Sequence, residues 1–402
     1  MRPQVCTPAH HSEWLAELVC SNSLRSNELN SAPGLLKEEM RRLGSIIITC
    51  ADSNRVPAGG ALAVDREGFA HSVTKAIEDH PLIDLHREEV QEINPEEPVL
   101  IATGPLTSPV LAECLKNLTG EEYLSFYDAS APIVTLESLD PQRIYWASRY
   151  DKGEPAYLNC PMNEEEYRIF YEALISAERY QAKDGEDIRF FEGCMPVEVM
   201  ADRGVDTLRF GPMKPVGLKD PRTGQIPHAV IQLRQDNREG TLFNLVGFQT
   251  QLKWPEQERT FRLIPGLEKA EFVRFGVIHR NSYLKSPSLL LPTLQMQKYP
   301  QVLFAGQLTG VEGYIESASN GLVAGINLAR LVKGQEPLVF PQETAHGALC
   351  HYITTAIADS FRPMNIAFGL LPPLSQRIRD RGTRNKLLAE RALKSIENYV
   401  NF

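Results

Sequence analysis

Two short apolar runs, each ending at a glycine-containing turn, constrain the fold of this chain more than any other feature. Residues 99–102 read VLIA and lead into TGP, whereas residues 302–305 read VLFA and run directly into Gly306. Continuous apolar runs of this length are typical of strands that are buried on both faces of a parallel sheet. Small residues follow the second run and predict a close-packed helix over residues 312–332. A strand, a glycine turn and a helix in succession indicate an α/β fold.

The residues between these two runs follow a different pattern. Residues 230–234 and 241–250 read as strands of alternating pattern, joined by the turn-forming sequence QDNREG. Residues 163–179 predict an amphipathic helix, in which Asn163 and Glu166 can form a capping box. Strands with only a few helices between them indicate an α+β arrangement.

The chain therefore divides into three stretches. We expect residues 1–108 and 301–402 to form two parts of one α/β domain, and residues 109–300 to be an inserted α+β domain. Two or three domains suit a length of 402 residues. In the first stretch, apolar periodicity predicts helices over residues 12–19, 33–43 and 65–80, a strand over residues 46–49 and extended structure over residues 82–93.

Charge, hydropathy and cysteine content exclude several classes of protein. The apolar runs are far shorter than the roughly 18 residues that a membrane-spanning helix needs, and the first residues do not resemble a signal peptide. We therefore expect a cytoplasmic protein without membrane contacts. A formal net charge of −9 argues against non-specific coating of nucleic acid, although a local basic patch could still bind one. The seven cysteines and nine histidines lack metal-site spacing, so we expect no metal and no disulfide framework.

Two of the cysteines have local sequences that can favour an ionised thiol. Cys194 precedes Pro196, a favourable first residue for a helix over residues 196–203, and a thiol near a helix N-terminus has a lowered pKa. Cys20 lies in a loop rich in serine and asparagine, with Arg25 nearby in the sequence. From spacing alone, both would more often be inert structural cysteines.

Longer sequence blocks are more specific than these patterns. They include TPAHHSEWLAELVCSNSLRSN, VPAGGALAVDR, IATGPLTS, YDKGEPAYLNCPM, FFEGCMPVEVMADRG, FGPMKPVGL and GVEGYIESASNGLVAGINLA, and they extend over essentially the whole chain. The sequence resembles the TrmFO family of folate- and FAD-dependent tRNA uracil-C5-methyltransferases. Its two glycine-containing segments also resemble the two-part flavin site of glutathione-reductase-like flavoproteins. The resemblance implies an α/β, glutathione-reductase-like FAD-binding fold with an inserted α+β domain.

The resemblance also implies a reaction, in which a T-loop uridine of tRNA is methylated at C5. The methylene group would come from 5,10-methylenetetrahydrofolate, pass through reduced FAD to C5 and be reduced to methyl, with NADH or NADPH as the reductant. Addition of a thiolate at uracil C6 makes C5 nucleophilic. The two functional cysteines of the family map to the blocks ELVCSNS and FFEGCMP. Cys194 is therefore the expected nucleophile and Cys20 the expected general acid or base, and the two roles could be exchanged.

The expected cofactor contacts lie in the two glycine-containing segments. Backbone N–H groups after a strand and at a helix N-terminus suit an anionic or electron-rich ligand, although glycine also serves close packing. The expected cofactor-binding residues are Gly104, Gly306, Gly310, Glu312, Gly313, Tyr314 and Gly321.

One part of the family pattern does not occur in this sequence. Flavoproteins of this fold begin with a strand, a G-x-G-x-x-G turn and a helix, followed by a second strand whose acidic residue holds the adenosine ribose. The chain contains no G-x-G-x-x-G, and residues 1–3 resemble those that follow the acidic position. We therefore expect the first βαβ unit to be absent, the parallel sheet to be incomplete and FAD to bind poorly. A misassigned start and a shortened gene both remain open, with the first favoured.

A basic segment near the C-terminus is the expected contact with tRNA. Its positions are Arg377, Arg379, Arg381, Arg384 and Lys386. Such an arm can bind phosphates, although a solvated helix face is the commoner meaning of the pattern. Two alternatives stay open: an inactive, flavin-free tRNA-binding remnant, and a related flavin-dependent carboxymethylaminomethyl-uridine modifier. The ELVCSNS and FFEGCMP blocks favour the methyltransferase.

Overall fold

The computed structural model describes residues 4–7, 9–121, 123–180 and 190–399. Residues 1–3, which resemble part of the family pattern, lie outside the described residues. The helices are α1 (Ala32–Arg42), α2 (Ile46–Ser53), α3 (Arg66–Glu78), α4 (Pro109–Thr119), α5 (Glu164–Ser176), α6 (Val197–Ala201), α7 (Thr207–Phe210), α8 (Trp254–Phe261), α9 (Ser286–Leu289), α10 (Tyr314–Val332), α11 (Ala345–Thr355) and α12 (Arg381–Ile396). The strands are β1 (Ser23–Ser26), β2 (Arg55–Val56), β3 (Ala61–Val64), β4 (Val99–Ile101), β5 (Leu124–Ala129), β6 (Ile133–Thr135), β7 (Tyr145–Ala147), β8 (Tyr157–Met162), β9 (Ala229–Gln235), β10 (Leu242–Leu245), β11 (Phe272–Arg274), β12 (Ile278–Tyr283) and β13 (Val302–Phe304).

The two apolar runs of the sequence pair with each other. Strand β4 lies parallel to β13, with Val99 opposite Val302 and Ile101 opposite Phe304. Strand β13 is wholly buried, and the chain continues from it through Gly306 into α10, so the expected strand, turn and helix are confirmed. In the described part of the chain this parallel sheet has two strands.

A six-stranded antiparallel sheet forms the centre of the region between these strands. Its strand order is β11-β6-β10-β9-β8-β7. Helix α5 contributes Phe170 and Leu174 to the core on this sheet, and both are fully buried. The expected capping box is confirmed, because Asn163 Oδ1 accepts from the Glu166 N–H while the Glu166 carboxylate accepts from the Asn163 N–H, each at 2.9 Å.

An antiparallel ribbon of β5 and β12 connects the six-stranded sheet to the parallel pair. The two strands are in register from Leu124 opposite Tyr283 to Ala129 opposite Ile278. This register places Asp128 opposite His279. The ribbon therefore brings a carboxyl and an imidazole to the place where the two parts of the fold meet.

Two sequence-based predictions for the first stretch, residues 1–108, are wrong for clear physical reasons. Residues 46–49 were expected to form a strand because they are β-branched, yet they begin α2, which buries Ile48 and Ala51 against its neighbours. Packing of an apolar helix face outweighs a weak strand propensity. The prediction of a helix over residues 12–19 was also wrong. The carboxylate of Glu17 accepts from the N–H groups of His11 and Ser12, so these donors are satisfied without a helix.

The other elements of this stretch follow the sequence more closely. Helix α1 begins after Ser31, whose hydroxyl caps it, and has Pro33 in its first turn. Helix α3 begins after Asp65, which caps it through the Gly68 N–H. Residues 82–93, expected to be extended, contain no strand among the described residues.

None of the helices that the structure describes is both long and apolar enough to cross a membrane.

Candidate active site

A cavity of about 960 Å³ opens where β4 and β13 end. Ligand pockets of α/β proteins commonly form at the carboxyl ends of parallel strands and have volumes of this order. Its walls come from the turns after β4 and β13, the N-terminus of α10, the loop before β1, the β5–β12 ribbon and the segment before α6.

The N-terminus of α10 faces this cavity without a side-chain cap. Gly313 is the N-cap residue, and Gly313, Tyr314 and Ile315 line the wall. Gly313 has φ of 107°, and a Cβ there would lie 2.4 Å from Glu316 Oε2, so both backbone and space require glycine. The uncapped N–H groups of this 19-residue helix present positive potential to the cavity.

Small residues keep the adjoining wall open. Ser317 and Gly321, one turn apart on α10, both line the cavity, and nothing lies within 4 Å of a Cβ built on Gly321. Gly104 and Gly306 line it from the turns after the two parallel strands, and Glu312 lines it next to α10.

Gly310 is the one expected cofactor residue that the structure places away from this cavity lining. It has φ of 86°, and a Cβ there would lie 2.4 Å from the ring of Phe361. A tight turn and close packing therefore require glycine at position 310. The sequence pattern alone cannot distinguish these requirements from contact with a ligand.

The two expected catalytic cysteines both line the same cavity. The backbone N–H of Cys20 donates to the Tyr314 hydroxyl at 2.8 Å, and that hydroxyl lies 3.2 Å from Cys20 Sγ. The expectation of a lowered thiol pKa is wrong for Cys20. Burial, with the charge of Asp128, raises the pKa of Cys20 to about 12. Arg25 does not offset this, because it pairs with Glu316 at 2.5 Å.

The expected effect of a helix N-terminus on Cys194 is also overturned. Helix α6 begins only at Val197 and has five residues, so its dipole is small and lies beyond the thiol. Burial, followed by the charge of Asp128, raises the pKa of Cys194 well above its usual value. The thiol forms a hydrogen bond with the Asp128 carboxyl.

Two carboxyl groups line the cavity next to Cys194. Atoms of Asp128, Glu312 and Cys194 that can act as ligands or proton carriers all lie within 4.8 Å of one another. Burial raises the pKa of Asp128 to about 6. The pKa of Glu312 is raised well above its usual value by burial and by Asp128. Asp128 was missed from the sequence, where a single acidic residue in an apolar strand was the only signal.

Three arginines hold the loop that carries Cys20. Arg66 comes from α3, whereas Arg234 and Arg274 come from β9 and β11 of the six-stranded sheet. All three were missed from the sequence because they are far from Cys20 along the chain. The bonds run from Arg66 to the Leu18 carbonyl, from Arg274 to the Val19 carbonyl (2.8 Å), and from Arg234 to Ser21 Oγ (2.8 Å) and Asn22 Oδ1 (2.9 Å).

The expected RNA-binding residues lie elsewhere on the surface. Arg377 and Arg379 precede α12, and Arg381, Arg384 and Lys386 lie in its first two turns. All five are exposed, and none of them lines the cavity. The structure thus leaves these cations facing solvent.

Comparisons with known proteins identify the family. The family model described as glucose inhibited division protein A matches residues 2–336. A curated protein of Desulforamulus reducens is 62% identical over 400 residues, covering 100% of this chain and 91% of that protein. A protein of Moorella thermoacetica is 64% identical over 394 residues, covering 98% of this chain and 90% of its own length. Both are named methylenetetrahydrofolate–tRNA-(uracil-5-)-methyltransferase TrmFO.

Two solved structures have a fold similar to that of this chain. Aquifex aeolicus GidA in its form I crystal has a TM-score of 0.67 at 17% identity, over 96% of this chain and 70% of that chain. The form II crystal gives a TM-score of 0.66 at 16% identity, over 96% and 68%. The chain therefore has an α/β FAD-binding fold.

The residues around the cavity fit the cofactor that this fold implies. The uncapped α10 N-terminus supplies N–H donors, and the open wall at Gly321 leaves room for a large ligand against the helix. The G-x-G-x-x-G turn that would hold a dinucleotide pyrophosphate is not in the sequence. With identities above 60% over the whole chain, this protein belongs to the TrmFO family.

Proposed function

We propose that this chain methylates C5 of the T-loop uridine in tRNA, forming 5-methyluridine with 5,10-methylenetetrahydrofolate as the one-carbon donor. The observation that carries this proposal is that Cys20 and Cys194, far apart in the sequence, line one cavity with the N-terminus of α10. Nearly full-length similarity to proteins named for this reaction supports it. We also propose a cytoplasmic location, because the proposed substrate is tRNA.

The cofactor part of the proposal uses residues of the parallel strands and α10. Gly104, Gly306 and the α10 N-terminus at Gly313 and Tyr314 would hold FAD, and Gly321 would leave room for it. FAD supplies the redox chemistry that carries and reduces the one-carbon unit when it is bound, and NADH or NADPH would renew the reducing equivalents. Glu312, a buried carboxyl at this wall, would contact the same ligand.

The cysteines would act on the uracil ring. We assign Cys194 as the nucleophile that adds to C6, which places electron density at C5. Cys20 would move a proton during the reaction, and the Tyr314 hydroxyl would hold its backbone and sulfur in place. Because both thiols are largely neutral when buried, proton transfer must accompany the addition rather than precede it.

The RNA part of the proposal rests on exposed cations. A uridine within a folded RNA must leave its stack to enter a cavity of this kind. The exposed cations at Arg377, Arg379 and the start of α12 would bind phosphates while the base enters.

The domain division belongs to the same proposal. We divide the chain into residues 1–108 and 301–402, which would hold FAD and of which the second part also carries the basic segment, and residues 109–300, which would approach the tRNA. The six-stranded sheet and its own core support a separate inserted unit.

The experiment that tests this function is methylation of a T-loop tRNA transcript with excess FAD, folate donor and NADPH, followed by nucleoside mass spectrometry. Cys194→Ala should abolish 5-methyluridine formation while leaving tRNA binding unchanged. Cys114→Ala is the matched control, because Cys114 is a partly buried cysteine outside the cavity lining. Retention of methylation by Cys194→Ala would refute the nucleophile assignment. Complete absence of methylation in the unsubstituted chain, despite tRNA binding, would favour the flavin-free remnant.

A further inference from the structure

The Cys194 thiol has a carboxyl acceptor already in place. It forms a hydrogen bond with Asp128, and Glu312 lies close enough for atoms of all three side chains to fall within 4.8 Å. Asp128 and Glu312 are each only 5% exposed. Burial of two carboxyl groups beside a thiol at a cavity is costly, so this arrangement points to a role in chemistry rather than in stability.

Both carboxyl groups accept hydrogen bonds, Glu312 from Gln307 Nε2 at 2.6 Å. Asp128 receives the Ala129 N–H at 2.8 Å, a hydrogen bond from Asn281 and the one from Cys194. Two buried carboxyls this close do not both ionise readily at neutral pH. Burial raises the pKa of Asp128 to about 6, and burial followed by the charge of Asp128 raises the pKa of Glu312 well above its usual value. Asp128 is the carboxyl group that is hydrogen-bonded to the thiol, and as a carboxylate it is placed to accept the Cys194 proton.

The other groups near this site leave Asp128 as the proton acceptor. His279 Nε2 lies 3.9 Å from Asp128 Oδ2, but burial lowers the pKa of His279 to about 4, so the ring is neutral and a weak base. Cys20 is a neutral thiol, and Tyr314 is a neutral phenol because burial raises its pKa well above the usual value. Two nearby arginines are paired with carboxylates, Arg25 with Glu316 and Arg66 with Asp236.

We propose that Asp128 is a further catalytic residue, the base that accepts the proton of Cys194 as its sulfur adds to uracil. This rests on the function proposed above. In the step, the S–H bond breaks and its proton moves to an Asp128 oxygen, while the S–C6 bond forms and the C5=C6 electron pair moves towards C5 and O4. When the S–C6 bond later breaks, Asp128 returns the proton to sulfur. The step needs no oxidant or reductant.

The test measures two rates, alkylation of Cys194 and methylation of tRNA, and we expect loss of the Asp128 charge to raise the first and lower the second. In Asp128→Asn the negative charge beside the thiol is gone, so the Cys194 thiolate becomes easier to form. Alkylation of Cys194 by iodoacetamide at pH 8, followed by peptide mass spectrometry without added cofactor, should become about tenfold faster for each unit by which the Cys194 pKa falls. Methylation of the T-loop transcript should fall by roughly 10²- to 10⁴-fold.

Two further variants keep the result unambiguous. Asp220→Asn replaces another buried aspartate, which pairs with Arg222 away from the cavity, and should change neither quantity. Asp128→Glu keeps the charge but moves the carboxylate, so methylation should fall at least about tenfold and Cys194 alkylation should stay near the unsubstituted rate. It carries the test if Asp128→Asn does not fold.

The outcomes separate this inference from the proposed function. Unchanged methylation in a folded Asp128 variant, or unchanged Cys194 alkylation in Asp128→Asn, overturns the role of Asp128. Methylation that survives Cys194→Ala refutes the nucleophile assignment and the role of Asp128 with it, whereas failure of the unsubstituted chain to form 5-methyluridine overturns the proposed function instead. If the unsubstituted chain forms no 5-methyluridine, the alkylation rates still decide whether Asp128 controls the Cys194 thiol.

Discussion

Cys20 and Tyr314 are separated by 294 positions in the sequence, yet the Tyr314 hydroxyl lies 2.8 Å from the backbone nitrogen of Cys20 and 3.2 Å from its sulfur. The hydroxyl accepts from the backbone and also favours the charged form of the thiol, which counteracts part of the effect of burial. Tyr314 is the first residue of α10, so a helix that faces the cavity also fixes the loop that carries Cys20.

Tyr314→Phe tests this relationship. It removes the hydroxyl through which this side chain is hydrogen-bonded to Cys20, so the Cys20 pKa should rise further above about 12. We expect alkylation of Cys20 at pH 9 to become several-fold slower, and the free energy of unfolding to fall by about 1–3 kcal/mol because a backbone N–H is left unpaired. Peptide mass spectrometry and urea denaturation measure the two effects.

The matched control for this substitution is Tyr352→Phe. The Tyr352 hydroxyl donates to the Arg362 carbonyl at 2.7 Å, away from the cavity, so its removal should leave Cys20 alkylation unchanged. Equal alkylation of Cys20 in the Tyr314→Phe variant and the unsubstituted chain would show that the hydroxyl does not influence the thiol.

A buried carboxyl group joins helices α1 and α11 and gives a second prediction. Glu39 of α1 accepts from the N–H groups of Ala345 and His346 at 2.8 and 3.1 Å, and lies 2.7 Å from His346 Nδ1. It therefore caps α11 from outside that helix. Glu39→Gln should lower the free energy of unfolding by about 1–3 kcal/mol, because the amide supplies one acceptor where the carboxylate supplied two.

The neighbouring Glu38 provides the control. It pairs with Arg41 and Arg42 at the surface, so Glu38→Gln should change stability by less than about 0.5 kcal/mol in urea denaturation. Similar decreases in stability for the two variants would contradict a special role for Glu39.

These contacts show what could and could not be predicted from the sequence. The strands β4 and β13 and the helix α10 were predictable, because their signals are local: apolar runs, a glycine turn and small residues. The helix at Ile46 was not, since its β-branched residues favour a strand until neighbouring helices bury one face.

The chemistry of the site was less predictable than its location. Sequence blocks identified Cys20 and Cys194, and the structure brings both to one cavity. The predicted direction of their pKa shifts was wrong. Burial and the nearby Asp128 raise both pKa values, and these are properties of the folded chain. For the same reason Asp128, which comes from a distant strand, was missed, since its only signal in the sequence was one acidic residue in an apolar strand.

The buried side chain of Lys37 should make the stability of the protein depend on pH. Its ammonium is fully buried and donates to the carbonyls of Leu24 and Ser26 at 2.8 and 2.7 Å, and burial lowers its pKa to about 7 from an ordinary 10.5. Between these pH values the unfolded chain holds a proton that the folded chain has released. The contribution of Lys37 to stability therefore rises with pH across this window, by at most about 1.4 kcal/mol per pH unit.

Urea denaturation at pH 7 and pH 9 measures this contribution in Lys37→Met. The variant should be less stable at both pH values, because two carbonyls are left without their donor, and the deficit should be larger at pH 9. Lys75→Met is the control. Lys75 is exposed and its pKa is raised above 10.5 by Asp79, so its removal should leave the pH dependence in this window unchanged. A deficit for Lys37→Met that does not grow with pH would contradict the lowered pKa.

The last prediction concerns tRNA binding by the exposed cations around the start of α12. Replacement by glutamine of Arg377, Arg379, Arg381, Arg384 and Lys386 should weaken binding to all tRNA sequences alike, because phosphate contacts do not read bases. The slope of log affinity against log salt should become shallower by about 0.7–0.9 for each phosphate that the variant no longer neutralises. Fluorescence anisotropy with labelled tRNA at several salt concentrations measures both. The control replaces five exposed cations elsewhere, Arg55, Lys152, Lys269, Lys298 and Lys333, with the same decrease in positive charge. If that control weakens binding as much, the effect belongs to net charge, and this segment is a solvated helix face rather than an RNA contact.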